Sequence, residues 1–175
     1  VEDDFSRWYI KLIRERTLEN DEALVYTFYY IFNKLSKIIA PFVPYIAEYI
    51  HYNFIDEKKS VHLTEWPKTE KIDKNLENNM LLVKNVVTDV LSERDKIKIG
   101  IRWPLNHVEI TTKDESLINA VSKLEDLIKL QTNVKKVIIV NSNPEEGSYS
   151  VSLDNHMTKE LEQEGYAREL IRKIQ

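Results

Sequence analysis

Apolar residues in the first hundred positions recur at the spacing of α-helices. The opening segment carries one stripe at three- and four-residue intervals, formed by Phe5, Trp8, Tyr9, Leu12 and Ile13. Such intervals place side chains on one face of a helix. Further helices are predicted over 22–40, where apolar residues cover most of the circumference, over 44–54 and over 73–95. Pro41 ends the second helix, since proline cannot donate the next backbone hydrogen bond.

The pattern changes near residue 97, where short β-branched runs begin to alternate with helical spacing. The predicted elements follow the order β-α-β-β-α, over 108–111, 117–128, 134–140, 149–153 and 158–175. Four long helices with mostly short links are typical of an antiparallel bundle. The sequence therefore predicts an α+β fold, mainly α. We expect an antiparallel helical bundle over 1–98 and a small β-α-β-β-α subdomain over 99–175.

Composition narrows the class of protein. Only three glycines are present, which favours long helices over a turn-rich β fold. The absence of cysteine excludes disulfides and thiolate metal sites, and it is consistent with a cytoplasmic protein. The four histidines lack metal-ligand spacing, and no apolar run reaches the roughly 20 residues of a membrane helix. We expect no metal site and no membrane partner.

The two ends of the chain and its net charge also carry information. Three of the first four residues are acidic, unlike a targeting leader, and the last residues fall inside a predicted helix, so we expect an excised fragment. The net charge is −4, which counts against a generic nucleic-acid-binding domain. Any contact with RNA therefore requires local basic patches.

Several short strings occur in the order found in one enzyme family. The strings DFSRWY over 4–9, APFVPYIAE over 40–48, and SVHL over 60–63 followed by Trp66-Pro67 resemble the helical anticodon-binding domain of class I aminoacyl-tRNA synthetases. Two later strings, GIRWPL over 100–105 and EGYARELIRKIQ over 164–175, resemble the isoleucyl-tRNA synthetase family of archaeal and eukaryotic type. The resemblance spans essentially the whole chain.

This resemblance implies a function and a limit. The family activates isoleucine with ATP and attaches it to its tRNA, so tRNA and the catalytic domain of the same polypeptide are the implied partners. ATP and magnesium are implied cofactors of the full-length enzyme and not of this fragment. No string like the HIGH or KMSKS nucleotide-binding motifs occurs here. We therefore expect no catalytic residue and no aminoacylation by the chain alone.

Basic residues beside an aromatic residue form the candidate RNA-binding set. Lys96, Lys98 and Arg102 lie in a segment without acidic residues, and Arg102 adjoins Trp103, whose indole could stack on a base. A second candidate is a basic ridge on the first helix, and a third is a pair one turn apart on the last helix. These two groups consist of Arg7, Lys11 and Arg14, and of Arg168 and Arg172.

Each candidate has a structural alternative that the sequence leaves open. Trp103 could fill the seam between the bundle and the sheet, and the ridge at Arg7 could be an ordinary solvated face. Arg168 and Arg172 could have a purely structural role. Gly165 could allow the last helix to pack closely on the sheet. The other aromatic side chains are predicted to form core, with Tyr30 and Tyr52 the most exposed.

Three rival functions remain open at this point. An acidic helical module could be a protein-interaction scaffold, and the same domain occurs in the valyl and leucyl synthetases. A free-standing hydrolase would need a nucleophile and base together, which the sequence does not offer.

Overall fold

A computed structural model describes residues 2–13, 21–144 and 147–174, with side chains from Asp4 onward. The chain divides into two compact units, Val1–Lys71 and Ile72–Gln175. Among the described residues, no helix combines the length and apolarity needed to cross a bilayer. The predicted α+β fold, mainly α, is confirmed.

The first unit is helical. A π-helical segment, Glu2–Tyr9, continues as α1 (Ile10–Ile13), and is followed by α2 (Glu22–Ile39), α3 (Pro44–Phe54) and a 3₁₀ turn, Val61–Leu63. The Asp21 carboxylate caps α2 by accepting hydrogen bonds from the backbone N–H groups of Ala23 and Leu24. Pro44 occupies the first turn of α3, where its missing N–H costs nothing.

Aromatic rings join the helices of this unit. Phe5 packs edge-on against Phe28 at 5.9 Å between centroids, and Phe32 contacts Phe54 of α3 at 5.5 Å. A small core of Ala40, Ala47 and Val61 joins α3 to the 3₁₀ turn. The Glu48 carboxylate holds this turn by accepting hydrogen bonds from Ser60 Oγ and the Val61 backbone, both at 2.9 Å.

The second unit is a three-stranded sheet with helices packed against it. Its elements are α4 (Lys74–Lys96), β1 (Leu105–Thr112), α5 (Glu115–Lys123), α6 (Glu125–Thr132), β2 (Val134–Val140), β3 (Tyr149–Leu153) and α7 (Lys159–Ile174). The strand order is β2-β1-β3, with β1 parallel to β2 and antiparallel to β3. Val108 and Ile110 of β1 are fully buried, and the flanking strands carry the helices, with α4 packed on β3 and α6 packed on β2.

The fourth helix differs from its predicted place. The sequence pattern assigned it to the bundle and set a boundary at 98–99, whereas the two compact units meet between Lys71 and Ile72. In the structure α4 packs on α5, α6 and β3. Its valines explain this, because Val83, Val86, Val87 and Val90 are at most 1% exposed and form the core beneath the sheet. A 3.6-residue stripe gives the buried face of a helix but not its partner.

Two further differences concern burial and helix ends. The helix predicted over 117–128 is two helices, because Leu124 leaves helical geometry at φ −118° and ψ 26°. The order in the second unit after α4 is therefore β-α-α-β-β-α. Although apolar residues cover most of the circumference of α2, Leu24 and Ser36 are the only buried residues within this helix.

One buried cation ties α4 to the sheet. Arg94 is 1% exposed and pairs with no carboxylate among the described residues. Its guanidinium donates to the carbonyls of Gly100 and Trp103 at 3.3 and 3.0 Å, and to that of Asn133 at 3.0 Å. Burial lowers the pKa of Arg94 to about 10, so the group is still charged at neutral pH.

Replacing Arg94 tests this anchor. Arg94→Met should lower the free energy of unfolding by about 3 kcal/mol, because three backbone carbonyls lose a charged donor that ties α4 to the loop and to the turn before β2. Urea unfolding of the 175-residue chain measures the change. Lys113→Ala, at an exposed position, is the control and should change the stability by less than about 0.5 kcal/mol. Equal stability of the Arg94 variant and the parent would contradict the assignment.

Candidate nucleic-acid interface

The predicted segment 96–104 is a fixed loop at the end of α4. Lys98 turns the chain with a left-handed φ of 57°, after which Arg94 binds the carbonyls of Gly100 and Trp103. Lys96 Nζ lies 2.6 Å from the Glu93 carboxylate, and this hydrogen bond raises the pKa of Lys96. Lys98 is exposed and forms no ion pair with any described residue. Of the two lysines, only Lys98 offers an uncompensated charge.

Trp103 packs against the last helix. A Cβ built on Gly165 would lie 2.3 Å from the indole, so the six-membered ring rests directly on the backbone of α7. Tyr166 meets the same indole edge-on, with 5.1 Å between ring centroids. Gly165 therefore permits close packing, as predicted, although its partner is Trp103. The place of Trp103 is this contact with α7, rather than a seam between bundle and sheet.

Arg102 and Arg172 share one carboxylate. The Glu169 side chain lies 3.2 Å from Arg102 Nη1 and 3.2 Å from Arg172 Nε. Partial burial acts to raise the pKa of Glu169, but the two arginines outweigh burial and the pKa falls below its usual value. One negative charge thus faces two positive charges, and about half of each arginine side chain is exposed to solvent.

A second carboxylate on α7 is shared in the same way. Glu164 contacts Lys135 Nζ of β2 at 2.5 Å and Arg168 Nη2 at 2.9 Å. The hydrogen bond from Lys135, followed by the charges of Lys135 and Arg168, lowers the pKa of Glu164. Lys135 was not among the predicted residues. Its signal was available, since two adjacent lysines in a β-branched run are typical of an edge strand.

These contacts define the α7 cation group, which consists of Arg102, Lys135, Arg168 and Arg172. Four cations surround two carboxylates, so the local charge is +2 in a chain whose net charge is −4. The structure thus brings together three of the predicted arginines with Trp103 and adds one lysine. Such a surface can contact phosphates through the N–H groups that the carboxylates leave unused.

The predicted ridge on the first helix belongs to the other unit. Arg7 and Lys11 are both exposed, on the π-helical segment and on α1. Arg14 lies outside the described residues. The ridge and the α7 cation group are therefore carried by different units.

The aromatic residues of α3 correct a sequence prediction. Tyr45, Tyr49 and Tyr52 follow at four- and three-residue spacing on one face, and Phe42 lies two residues before the helix begins. Their side chains are 90%, 66%, 55% and, for Phe42, 83% exposed. The prediction that Phe42, Tyr45 and Tyr49 form core is wrong, since helical spacing identifies a shared face without saying what covers it; Tyr52 was predicted to be exposed, and it is. We call these four residues the α3 aromatic face.

Comparison with known proteins identifies the family. The model of the anticodon-binding domain of tRNA ligase matches residues 1–110. The chain belongs to this family of anticodon-binding domains. The matched range contains the first unit, α4 and the loop with Arg102 and Trp103. It ends before α7.

Three archaeal relatives, each named isoleucine–tRNA ligase, carry the similarity further along the chain. The relative from Pyrococcus abyssi is 37% identical over 147 residues, which is 78% of this chain and 14% of the relative. That from Thermococcus kodakarensis is 38% identical over 149 residues, with shares of 79% and 14%. That from Methanopyrus kandleri is 36% identical over 155 residues, with shares of 83% and 14%. The chain spans about 14% of the length of these relatives.

The contact of Trp103 with Gly165 can be tested by asking whether one substitution stabilises or destabilises the chain. Gly165→Ala should destabilise the chain by about 1–3 kcal/mol in urea unfolding, because the new methyl group displaces the indole. In a Trp103→Ala background, the same change should stabilise it by about 1 kcal/mol, since alanine is the better helix former. The same sign in both backgrounds would contradict the contact.

Proposed function

We propose that this chain holds the anticodon arm of a tRNA within a cytoplasmic isoleucine–tRNA ligase, which activates isoleucine with ATP and loads it onto that tRNA. The single observation that carries the proposal is the family match over residues 1–110. The names of the relatives support isoleucine over the valine and leucine alternatives. The chain's own role is binding and orientation, with no bond made or broken by its residues.

The proposed mechanism is phosphate docking by the α7 cation group. Glu164 and Glu169 fix the directions of four cationic side chains, so less side-chain freedom is lost when RNA arrives. The surplus charge of +2 remains available for two backbone phosphates. Lys96, Lys98, Arg7, Lys11 and Arg14 stay candidate RNA contacts, and Trp103 contributes by holding Arg102 on α7 rather than by offering a free ring face.

ATP and magnesium belong to the proposed catalytic domain of the full-length enzyme. We assign neither cofactor to this chain.

The α3 aromatic face favours a contact with protein in addition to the contact with RNA. Rings that are 55–90% exposed on one helix face are typical of a surface that another protein covers. The relatives are several times longer than this chain, and their remaining length supplies such a surface. We propose that the catalytic domain of the same polypeptide packs on this face. The scaffold alternative places a separate protein there and predicts no salt-sensitive binding of RNA.

The RNA contact is tested by opposite changes at one ion pair. Arg102→Ala should weaken binding of isoleucine tRNA by about 1 kcal/mol, and Glu169→Gln should strengthen it by a similar amount, because both Arg102 and Arg172 lose their competing carboxylate. Filter binding at several salt concentrations measures both, and Arg102→Ala should reduce the salt slope by about one.

Glu162→Gln is the matched control for this experiment. It removes the same charge from an exposed position of α7 that contacts none of the four cations. An equal gain in affinity for Glu162→Gln and Glu169→Gln would overturn the local contact. Binding by the parent chain that does not change with salt would overturn the proposed function.

The α3 aromatic face is tested in two contexts. Tyr45→Ser/Tyr49→Ser should leave the stability of the 175-residue chain within about 0.5 kcal/mol, since both rings are exposed. In the full-length ligase, the same pair should destabilise the molecule by at least about 2 kcal/mol and expose α3 to hydrogen exchange. Tyr26→Ser, at a ring of α2 that is 68% exposed, is the control. The same small effect in both contexts would contradict the contact.

A further inference from the structure

A polar groove lies between α4 and α5, in the second unit. Its volume is about 500 Å³, within the range of sites that take a small ligand or a single nucleotide. The α4 side contributes Asn75, Asn78, Asn79 and two leucines, and the α5 side contributes Ser116, Asn119 and Lys123. We call this cavity the amide groove.

The amide groove interrupts an otherwise apolar contact between two helices. Further along the pair, Val83 and Val87 of α4 and Leu117 and Val121 of α5 are all at most 1% exposed. At the N-terminal end of α4 the same helical faces carry carboxamides. Asparagine is a poor helix former, so three in five residues weaken α4 without any packing gain.

The carboxamides of the groove are free to bind a ligand. Asn75, Asn78, Asn79 and Asn119 make no side-chain hydrogen bond to another described residue. Each amide offers two N–H donors and an oxygen with two lone pairs. Leu81 and Leu82 supply apolar surface beside them, and Lys123 is the one cation among the described residues of the lining.

This chemistry selects among ligands. A phosphate alone would leave the amide oxygens facing negative charge, and an apolar ligand would leave them without partners. A nucleobase offers donors and acceptors along one edge and an apolar face, and asparagine can meet such an edge with two hydrogen bonds. Unpaired bases of RNA loops are splayed out and can enter a cavity of this kind.

We infer that the amide groove binds one unpaired nucleobase of an RNA loop, with Lys123 on the adjoining phosphate. The inference rests on the proposed function and deepens it by separating two tasks. The α7 cation group contacts phosphates, which are the same in every sequence. The amide groove reads a base, and so contributes selectivity.

The experiment uses the 175-residue chain and fluorescently labelled hairpins with the sequence of the isoleucine tRNA anticodon arm. In a series of hairpins, each loop nucleotide in turn is replaced by an abasic one, which removes the base and keeps the phosphate. Anisotropy titrations compare the parent chain with Asn78→Ala/Asn119→Ala. Asn85→Ala is the control, since Asn85 is exposed on α4 outside the groove.

The parent chain should lose about tenfold in affinity at one abasic position. Asn78→Ala/Asn119→Ala should bind the intact hairpin about tenfold more weakly and no longer distinguish it from that abasic hairpin, while Asn85→Ala should behave as the parent. Circular dichroism should show an unchanged fold, because alanine at exposed helix positions raises helix propensity.

Two results would overturn the inference. If the double variant still distinguishes the abasic hairpin, or if no abasic position weakens the parent, the groove does not read a base; salt-dependent binding would then leave the proposed function standing. If the parent binds no hairpin in a salt-dependent manner, the proposed function and the inference fall together.

Discussion

The second unit depends on a charge that is buried without a counter-charge among the residues that the structure describes. Arg94 exchanges water for three backbone carbonyls, two in the loop after α4 and one at the turn before β2. Removing an ionic group from water is costly, and only fixed acceptors in good geometry offset that cost. The hydrogen bonds from Arg94 therefore hold the loop with Arg102 and Trp103 in place. The hydrogen bonds to Gly100 and Trp103 fix the backbone on either side of Arg102.

Charged groups also share partners at the surface, but there the roles of the cation and its acceptors are reversed. At Arg94, one cation has several neutral acceptors; on α7, single carboxylates serve two cations each. Because each carboxylate balances only one charge, the pairing orients the cations without cancelling them. A mildly acidic protein can in this way present a cationic surface to RNA, which answers the objection that its net charge raises. An isolated pair at each position would have cancelled the field.

The sequence predicted elements well and partners poorly. Asp21, Pro44 and Asp73 lie at helix starts because capping and proline effects are local, so these ends could be read directly. The fold class and the family strings were also within reach. The partner of α4 was not, since a row of valines suits a helix bundle and a sheet equally. The burial of Arg94 could not be predicted, because its acceptors lie up to 39 residues away.

The candidate site shows the same division. Arg102 was predicted in the loop and Arg168 and Arg172 as a pair on the last helix, and their shared ion pairs come from Glu169 and Glu164. The exposed rings of α3 misled the prediction, because spacing alone does not distinguish a face turned to the core from one turned outward. The sequence pattern did not indicate the amide groove, because the asparagines of α4 and α5 come together only where the two helices pack.

The order of strands in the sheet has a consequence for how the molecule forms. β1 is central, yet its parallel neighbour β2 follows only after a crossover through α5 and α6, and β3 comes later still. Such non-local pairing closes long loops before it gains contacts, which slows folding. Lys135 of β2 precedes its partner Glu164 of α7 by 29 residues, so this contact forms only once α7 has been synthesised. A nascent chain that ends at β3 therefore contains Arg102 and Lys135 but lacks Arg168, Arg172 and both carboxylates of the α7 cation group.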